Sequence, residues 1–189
     1  LYQQHVPDSE TAIEETLRAL DDLVRSGKVR YIGHSNFSGW QVSDAHWTAK
    51  YNGLNQFVTA QNLYNLLDRR IEQEVLPACE KYGVGMLPFF PLASGMLTGK
   101  YKRGTAPGEG TRLAAMGDRA AAAMSDVIFD KVEALTKFAE QSGYSLLQLA
   151  MSWLASKPVI SSVIAGATSE QQVIVNAQGI AWKLSEDEI

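Results

Sequence analysis

Residues 27–37 read GKVRYIGHSNF, and this stretch decides the fold because it passes from a helix end through a strand into a polar loop. Its first glycine follows a helical pattern of apolar residues over 13–24, and glycine is common just past a helix end. Val29–Gly33 has the composition of a strand, and the polar pair Ser35 and Asn36 follows shortly after it. The stretch therefore predicts one helix–strand–loop repeat of an α/β fold.

The same arrangement recurs on both sides of this stretch, with a polar or loop segment wherever an apolar run ends. These segments are Gln4-His5, Gln61-Asn62, Phe90-Pro91-Leu92 and Gly166-Ala167-Thr168. Helical patterns separate them. Polar residues at the carboxyl ends of strands in such a chain are typical of a (β/α) barrel, which builds its active site from several loops.

Five strands are predicted, with helices between them. The strands are 1–5, 29–33, 57–61, 84–90 and 161–164, and the helices cover about 13–24, 38–49, 69–82, 125–141, 146–156 and 170–177, with a further helix starting at 184–189. Strand–helix repetition with short turns favours a parallel sheet with right-handed crossovers. The pattern by itself fits either an open doubly wound sheet or part of a barrel.

Single residues predict where some helices start or bend. Ser9 is the predicted cap of the first helix, with Thr11 as the competing candidate, and Ser38 or Ser43 begins the second helix. Pro77 lies inside the third helical pattern, which predicts a kink at that position.

The stretch from Ala93 to Asp118 interrupts the repetition. It holds six glycines and Pro107, and it is too long for an ordinary connection between elements. Loops of this length in a compact domain are usually functional or mobile. We therefore expect this glycine-rich stretch to serve function or motion rather than connection alone.

Composition excludes several classes of protein. The 189 residues are 46% hydrophobic and 20% charged, which is ordinary for a globular chain of one domain. A net charge of −4 argues against a nucleic-acid or anionic-membrane surface, and no apolar run approaches the roughly 18 residues of a membrane span. No signal peptide is visible, so the cytoplasm is the default compartment. The single Cys79 excludes an internal disulfide, no ligand spacing suggests a metal, and His34 and His46 are interpreted as incidental.

Five segments, in order along the chain, resemble the aldo-keto reductases. They are 2–8 (YQQHVPD), 27–37, 61–67 (QNLYNLL), 91–101 (PLASGMLTGKY) and 166–168 (GAT). The likeness is to bacterial enzymes related to potassium-channel β subunits rather than to the mammalian aldose reductases. It implies a (β/α)8 TIM barrel that reduces aldehydes or ketones to alcohols with NADPH, a small-molecule carbonyl being the substrate. It also implies that this chain, as one partial domain, supplies about the last five βα units, and we expect a fragment at both ends.

The resemblance also assigns site residues. His5 matches the histidine of the family's catalytic tetrad, and its imidazole would orient the carbonyl oxygen. The tetrad's aspartate, tyrosine and lysine match nothing in this chain, so we expect the chain to be inactive alone. Ser35, Asn36 and Gln61 match the residues that bind the nicotinamide carboxamide, which offers both acceptors and donors. Phe89 stands where the family usually stacks a tyrosine or tryptophan on the nicotinamide ring.

Further positions match residues that hold the rest of the cofactor. This set is Pro91, Leu92, Lys100, Arg112, Gly166, Thr168, Gln172 and Asn176. Lys100 and Arg112 would grip the phosphates, and the last four would contact the adenosine 2′-phosphate and adenine. Gly166 and Gln172 stand where the aldose-reductase-like branch has a lysine and an arginine, which weakens the expected preference for NADPH over NADH. Trp40 is a candidate for the substrate pocket.

Two other interpretations of the function stay open. In one, the protein is a nucleotide-binding regulatory or interaction subunit of the channel-β type with little catalysis. In the other, the 189 residues are a complete but catalytically dead half barrel, whose edge strands need another chain to cover their unpaired N–H and C=O groups. Tyrosine and lysine at the family's positions in a longer parent would favour an enzyme. The sequence does not indicate an oligomeric state.

Overall fold

Among the described residues, four short parallel strands form one sheet. The structure, a computed structural model, describes residues 1–188 apart from the side chain of Arg119. The strands are β1 (Tyr2–Gln4), β2 (Ile32–Ser35), β3 (Phe57–Gln61) and β4 (Gly85–Met86), and they lie in the spatial order β1-β2-β3-β4. Each neighbouring pair is parallel, which confirms the prediction of a parallel sheet.

Helices follow the strands in the order that the sequence predicts. The α-helices are α1 (Ile13–Arg25), α2 (Gly39–Tyr51), α3 (Val75–Tyr82), α4 (Ala120–Ala123), α5 (Asp126–Gln141), α6 (Leu146–Ala155) and α7 (Glu170–Gln178), and short 3₁₀ turns cover Arg70–Glu72, Ala93–Thr98, Ala114–Arg119 and Glu186–Glu188. The helix predicted to start at 184–189 is a 3₁₀ turn as far as residue 188, and its last residue lies outside the described part. Within residues 1–188, no helix has both the length and the apolarity that crossing a membrane requires.

The chain divides into two compact units, which are described separately. The first, called the sheet unit, consists of Leu1–Tyr64, Arg69–Phe89 and Pro158–Ser162. The second, called the helical unit, consists of Asn65–Asp68, Phe90–Lys157 and the described residues from Val163 onward. The sheet unit contains the four strands and α1 to α3. The helical unit contains α4 to α7 and the glycine-rich stretch.

The core of the sheet unit lies on one face of the sheet. Successive side chains of a strand point to opposite faces. Ile32 and His34 of β2 are therefore buried on the face that α1 and α2 cover, while Gly33 and Ser35 lie on the other face. Ile32 packs in a cluster of buried residues that includes Leu17, Leu20, Phe37, Val42, Ala45, Ala49, Phe57 and Ala78. The carboxyl ends of the strands are thereby held in register for the polar residues that follow.

One predicted strand is shortened by a proline. The apolar run 84–90 forms a strand only at Gly85–Met86. Pro88 has no N–H group to donate to the ladder, so regular pairing stops before it. Phe89 then forms an isolated parallel bridge with Leu63.

The predicted fifth strand, 161–164, is not a continuous strand, and the bridge residues of this segment are Ile160 and Ile164. Met86 forms an isolated parallel bridge with Ile160. The Met86 N–H donates to the Val159 carbonyl oxygen at 2.8 Å, and the Ser161 N–H donates to the Met86 carbonyl oxygen at 2.9 Å. Because β4 itself is two residues long, it can form backbone hydrogen bonds with only a few residues of this segment.

Two helix boundaries also differ from the prediction. The residue before α1 is Ala12 rather than Ser9 or Thr11, because the Thr11 hydroxyl donates instead to the Asp8 carboxylate at 2.8 Å. The third helical pattern is broken rather than kinked. Its α-helical part begins at residue 75, so Pro77 lies in the first turn, where its missing N–H has no partner to lose.

The glycine-rich stretch contributes to the core of the helical unit. Met96, Leu97, Tyr101 and Leu113 from this stretch are buried together with residues of α5 and α6, among them Phe129, Val132, Leu146 and Leu149. The stretch is therefore fixed at several points along its length. Between Tyr101 and Leu113 most of its residues are exposed.

Candidate cofactor site

Four of the predicted residues lie together at the carboxyl ends of β1, β2 and β3. The Ser35 hydroxyl donates to the Gln61 carbonyl oxygen at 2.7 Å, and the Asn36 backbone N–H donates to the same oxygen at 3.0 Å. Asn36 Nδ2 donates to the His5 carbonyl oxygen and to Ser35 Oγ, each at 3.0 Å. These bonds connect the ends of three neighbouring strands.

Asn36 leaves part of this group open to a ligand. Its φ is 62°, in the left-handed region that asparagine adopts more readily than most residues, and in this conformation Nδ2 reaches both of its acceptors. Within the described part of the chain, Asn36 Oδ1 and the Gln61 side-chain amide make no hydrogen bond. Together they offer acceptors and donors, which is the set that a primary carboxamide needs.

Besides His5, the sheet unit holds two further predicted residues, Trp40 and Phe89. His5 is exposed, and its backbone carbonyl is fixed by Asn36. Trp40 is the second residue of α2 and is 65% exposed, and its place in a substrate pocket stays a prediction. Phe89 is half-buried, and its N–H donates to the Asn62 carbonyl oxygen at 3.1 Å.

His34 is not part of this group, although it precedes Ser35 directly. It is 1% exposed, and its ring lies 4.5 Å from the Phe37 ring and 5.2 Å from the Phe57 ring, measured between centroids. Neither ring nitrogen has a hydrogen-bond partner within residues 1–188. Burial lowers the pKa of His34 to about 4, because the charged imidazole would lose its hydration.

In the helical unit, the two cations predicted to grip phosphates both lie against aromatic rings. Lys100 Nζ is 5.0 Å from the centroid of the Tyr101 ring, and the Arg112 guanidinium is 4.5 Å from that of Phe90. The end of Lys100 fills the space beside Gly95, where a Cβ would lie 2.8 Å from Cε. Both cations are exposed, so their charges are open to a phosphate.

The backbone just before the glycine-rich stretch and at its start is strained. Phe90, Ala93 and Ser94 have φ values of 52°, 46° and 56°, which few residues other than glycine adopt. Such strain is held in place by its surroundings and is common at functional sites. Pro91 is buried and Leu92 is half-buried against the core of the helical unit, so these two predicted residues hold the turn.

The remaining four predicted residues come together at the start of α7. The Thr168 N–H donates to Gln172 Oε1 at 2.7 Å, and Asn176 Nδ2 donates to the Gly166 carbonyl oxygen at 3.4 Å. Residues 158–182 contain no lysine or arginine. This group therefore offers neutral hydrogen-bonding groups rather than charge. In the described residues, no group of three His, Cys, Asp or Glu side chains could hold a metal ion.

Two residues that sequence reasoning missed are Phe90 and Arg103. Phe90 carries the Arg112 guanidinium on its ring, and Arg103 is bonded to three carboxylates of α5. The signal for Phe90 in the sequence was that it is a second aromatic residue directly after Phe89. The signal for Arg103 was a set of three acidic residues spaced along one face of a predicted helix.

The chain belongs to the aldo/keto reductase family, whose family model matches residues 1–189. This confirms the family resemblance that the five segments indicate. The fold of the family is the (β/α)8 barrel, and this chain shows its parallel sheet and helices.

Named relatives include channel subunits and oxidoreductases. A probable voltage-gated potassium channel subunit beta of Oryza sativa subsp. japonica is 39% identical over 93% of this chain and 54% of its own length. The uncharacterized oxidoreductase YrpG of Bacillus subtilis (strain 168) is 35% identical over 99% of this chain and 55% of its own. Versiconal hemiacetal acetate reductase of Aspergillus parasiticus is 34% identical over 99% of this chain and 54% of its own length. The chain thus spans about half the length of the curated relatives it matches.

Proposed function

We propose that this chain is part of an NADP(H)-dependent oxidoreductase that reduces aldehydes or ketones to alcohols, and that it contributes cofactor-binding residues and His5. The observation that carries the proposal is the hydrogen-bonded group of His5, Ser35, Asn36 and Gln61 at the ends of three parallel strands. Family membership supports oxidoreductase chemistry in general terms. The net charge of −4 and the buried free thiol of Cys79 fit a small-molecule enzyme of the cytoplasm.

The open groups of the sheet unit fit a nicotinamide. Asn36 Oδ1 can accept from the carboxamide nitrogen, and the Gln61 side chain can pair with either end of the carboxamide. An unmatched buried amide costs about 1–3 kcal/mol, so two complementary side chains select a carboxamide over an apolar group. The half-buried Phe89 offers a face for the ring to stack on.

Taken by themselves, the polar groups of the helical unit are of the kinds that bind phosphate, ribose and adenine. Lys100 and Arg112 are exposed cations, and charge-assisted hydrogen bonds make both suitable phosphate ligands. Thr168, Gln172 and Asn176 offer hydroxyl and amide groups of the kind that pair with a ribose or an adenine.

His5 would orient the carbonyl substrate. A bound reduced nicotinamide supplies the hydride that the carbonyl carbon receives. The exposed His5 imidazole can donate a ring N–H to the carbonyl oxygen, and that bond strengthens as negative charge develops on the oxygen. Asn36 Nδ2 donates to the His5 carbonyl oxygen, so the backbone from which the imidazole extends is tied to the neighbouring strand. The part of His5 is therefore orientation and charge stabilisation.

We expect the 189-residue chain to bind NADPH with micromolar affinity, and the double variant Asn36→Ala and Gln61→Ala to bind it about tenfold more weakly, because the carboxamide loses two partners. Quenching of tryptophan fluorescence by NADPH measures the affinity. Gln73→Ala is the matched control, since Gln73 is exposed and lies outside the site. A folded chain that shows no NADPH binding would contradict the proposal.

We expect only a modest preference for NADPH over NADH, because the group at α7 carries no cation. Gln172→Arg should tighten NADPH binding about tenfold and leave NADH binding unchanged, since a guanidinium adds a charge-assisted bond to the 2′-phosphate alone. Gln171→Arg is the control, with the same change of charge one residue away. Equal effects of the two variants on NADPH would show that general electrostatics, rather than position 172, sets the preference.

A second candidate is a nucleotide-binding regulatory subunit. Relatives named as potassium channel β subunits in Oryza sativa subsp. japonica and Arabidopsis thaliana, at 39% and 38% identity, favour it. Both candidates require nucleotide binding by this chain. They differ in the whole protein, where rapid turnover of aldehydes supports the reductase and tight nucleotide binding with very slow turnover supports the regulatory subunit.

A further inference from the structure

Arg103 in the glycine-rich stretch is bonded to three carboxylates of one helix. Nη1 donates to Asp126 Oδ1 at 2.8 Å and Nη2 donates to Asp130 Oδ1 at 2.6 Å. Nε and Nη2 donate to the two oxygens of Glu133, each at 3.1 Å. The guanidinium carbon also lies 5.5 Å from the centroid of the Phe129 ring. Every nitrogen of the guanidinium is therefore engaged by α5.

This arrangement differs from an ordinary surface ion pair. A single exposed ion pair contributes little to stability, because it must hold two flexible side chains in one geometry. Here the three acidic residues are spaced by four and three along α5, so the helix presents them on one face, where they repel one another unless a cation lies between them. The planar fork of arginine matches several carboxylates at once, which lysine cannot do. The three carboxylates hold the pKa of Arg103 above its usual range.

A second anchor lies at the other end of the exposed segment. Tyr101 is 8% exposed, and its hydroxyl donates to the Ser94 carbonyl oxygen and accepts from the Leu113 N–H, each at 3.4 Å. Leu113 is fully buried. The segment 104–112, which we call the flap, is therefore held by Arg103 at its start and by Leu113 at its end.

The flap has the features of a hinged segment. Gly104 and Gly110 have φ values of 71° and 76°, which glycine adopts without strain, and most of the residues between them are exposed. Arg112 is the last residue of the flap, and its guanidinium lies on the Phe90 ring. Lys100 lies just before the Arg103 anchor. Both proposed phosphate ligands are thus placed by the same two anchors.

We infer that Arg103 is a positioning residue, which through its bonds to Asp126, Asp130 and Glu133 fixes the start of the flap and so places Lys100 and Arg112 for the phosphates of a dinucleotide. The role of the two cations rests on the proposed function, while the anchoring of the flap does not. Loss of the anchor frees the flap, and the cations are then in the binding position for only a fraction of the time. The affinity for the dinucleotide is then reduced in proportion to the fraction of time that the cations spend in the binding position.

The test of the anchor uses cleavage of the flap in the full 189-residue chain without any cofactor. Glu109 is the only glutamate in the stretch 93–118, so a glutamate-specific protease reports on the flap there. We expect Arg103→Ala to speed cleavage after Glu109 about tenfold, because local opening controls cleavage. Lys102→Ala, with the same loss of charge at the neighbouring exposed residue, should cleave like the parent chain. Equal rates in the two variants would overturn the anchor.

A variant on the helix side keeps the test decisive if Arg103→Ala unfolds the chain. The triple change Asp126→Asn, Asp130→Asn and Glu133→Gln leaves the glycine-rich stretch intact and removes the charges that hold it. It should give the same faster cleavage with an unchanged thermal midpoint, and parent-like cleavage would overturn the anchor. Arg103→Lys should fall between Arg103→Ala and the parent chain, because one ammonium cannot engage three carboxylates.

The positioning role is tested by cofactor affinity. We expect Arg103→Ala to raise the Kd of NADPH and of NADH by the same factor of about 5 to 20, since the pyrophosphate is common to both. Faster flap cleavage with unchanged affinities would overturn the positioning role while leaving the anchor in place. If the parent chain binds neither nucleotide, the proposed function fails, and the cleavage result still decides whether Arg103 anchors the flap.

Discussion

Acidification from about pH 7 to about pH 4.5 should lower the free energy of unfolding of this chain by about 2–3 kcal/mol more than that of a His34→Val variant. The cause is the burial of His34 between Phe37 and Phe57, which lowers its pKa from 6.5 to about 4. In the unfolded chain the imidazole takes up a proton at its ordinary pKa, and in the folded chain it does not.

The sign follows from this difference in proton uptake. Above pH 6.5 both states are neutral, so His34 has no effect on the pH dependence. As the pH falls from 6.5 towards 4, the unfolded state binds a proton that the folded state refuses, and stability is lost. Below about pH 4 the folded state binds it too, and the loss levels off. The valine side chain of the His34→Val variant does not titrate, and the change also removes two buried nitrogens that have no partner in the described residues.

The measurement is urea unfolding followed by circular dichroism at both pH values. Ile32→Val is the control, because it changes a buried residue of the same strand without removing a titratable group, so its pH dependence should follow that of the parent chain. His46 faces the same small pocket as His34, and burial and the charge of Lys50 lower its pKa as well. It remains in all variants, so its contribution cancels in the comparison. An equal loss of stability in the parent chain and the His34→Val variant would show that other groups cause it.

The order of elements could be predicted from the sequence because it depends on local patterns. Parallel strands and amphipathic helices carry their periodicity in every few residues, and the gathering of Ser35 and Gln61 follows from adjacent parallel strands ending at one edge. Boundaries were less predictable, since they depend on single residues. Pro88 ended a strand that hydropathy alone would have continued, and Asp8 drew the Thr11 hydroxyl away from the start of α1.

Contacts between distant residues could not be predicted in the same way. Arg103 meets carboxylates 23 to 30 residues further along, and nothing periodic links them. His34 was interpreted as incidental, and the alternation of β2 places it on the buried apolar face of the sheet, next to Phe57. Packing decides these environments, and a single sequence shows only which residues are available for it.

Gly33→Ala should destabilise the chain by at least about 3 kcal/mol, because the new methyl group has no room in the sheet. A Cβ at position 33 would lie 2.1 Å from Thr59 Oγ1 and 2.9 Å from the Thr59 carbonyl oxygen. Gly33 pairs with Thr59 across β2 and β3, so relieving the clash would move one strand away from the other. The same ladder carries the Ser35 and Gln61 contact of the candidate cofactor site.

Companion variants separate side-chain from backbone clashes. Adding Thr59→Ala to Gly33→Ala should restore only part of the stability, since the carbonyl oxygen at 2.9 Å remains. Gly85→Ala should instead be largely rescued by Ser161→Ala, because the closest atom is the Ser161 hydroxyl at 2.2 Å, the remaining Ser161 Cβ lies at 3.2 Å and the nearest backbone atom lies 3.8 Å away. Gly166→Ala, with open space around it, should stay within about 0.5 kcal/mol of the parent chain in the same urea titration. A Gly33→Ala chain as stable as Gly166→Ala would mean that β2 and β3 can separate without cost, which the polar contacts at their ends argue against.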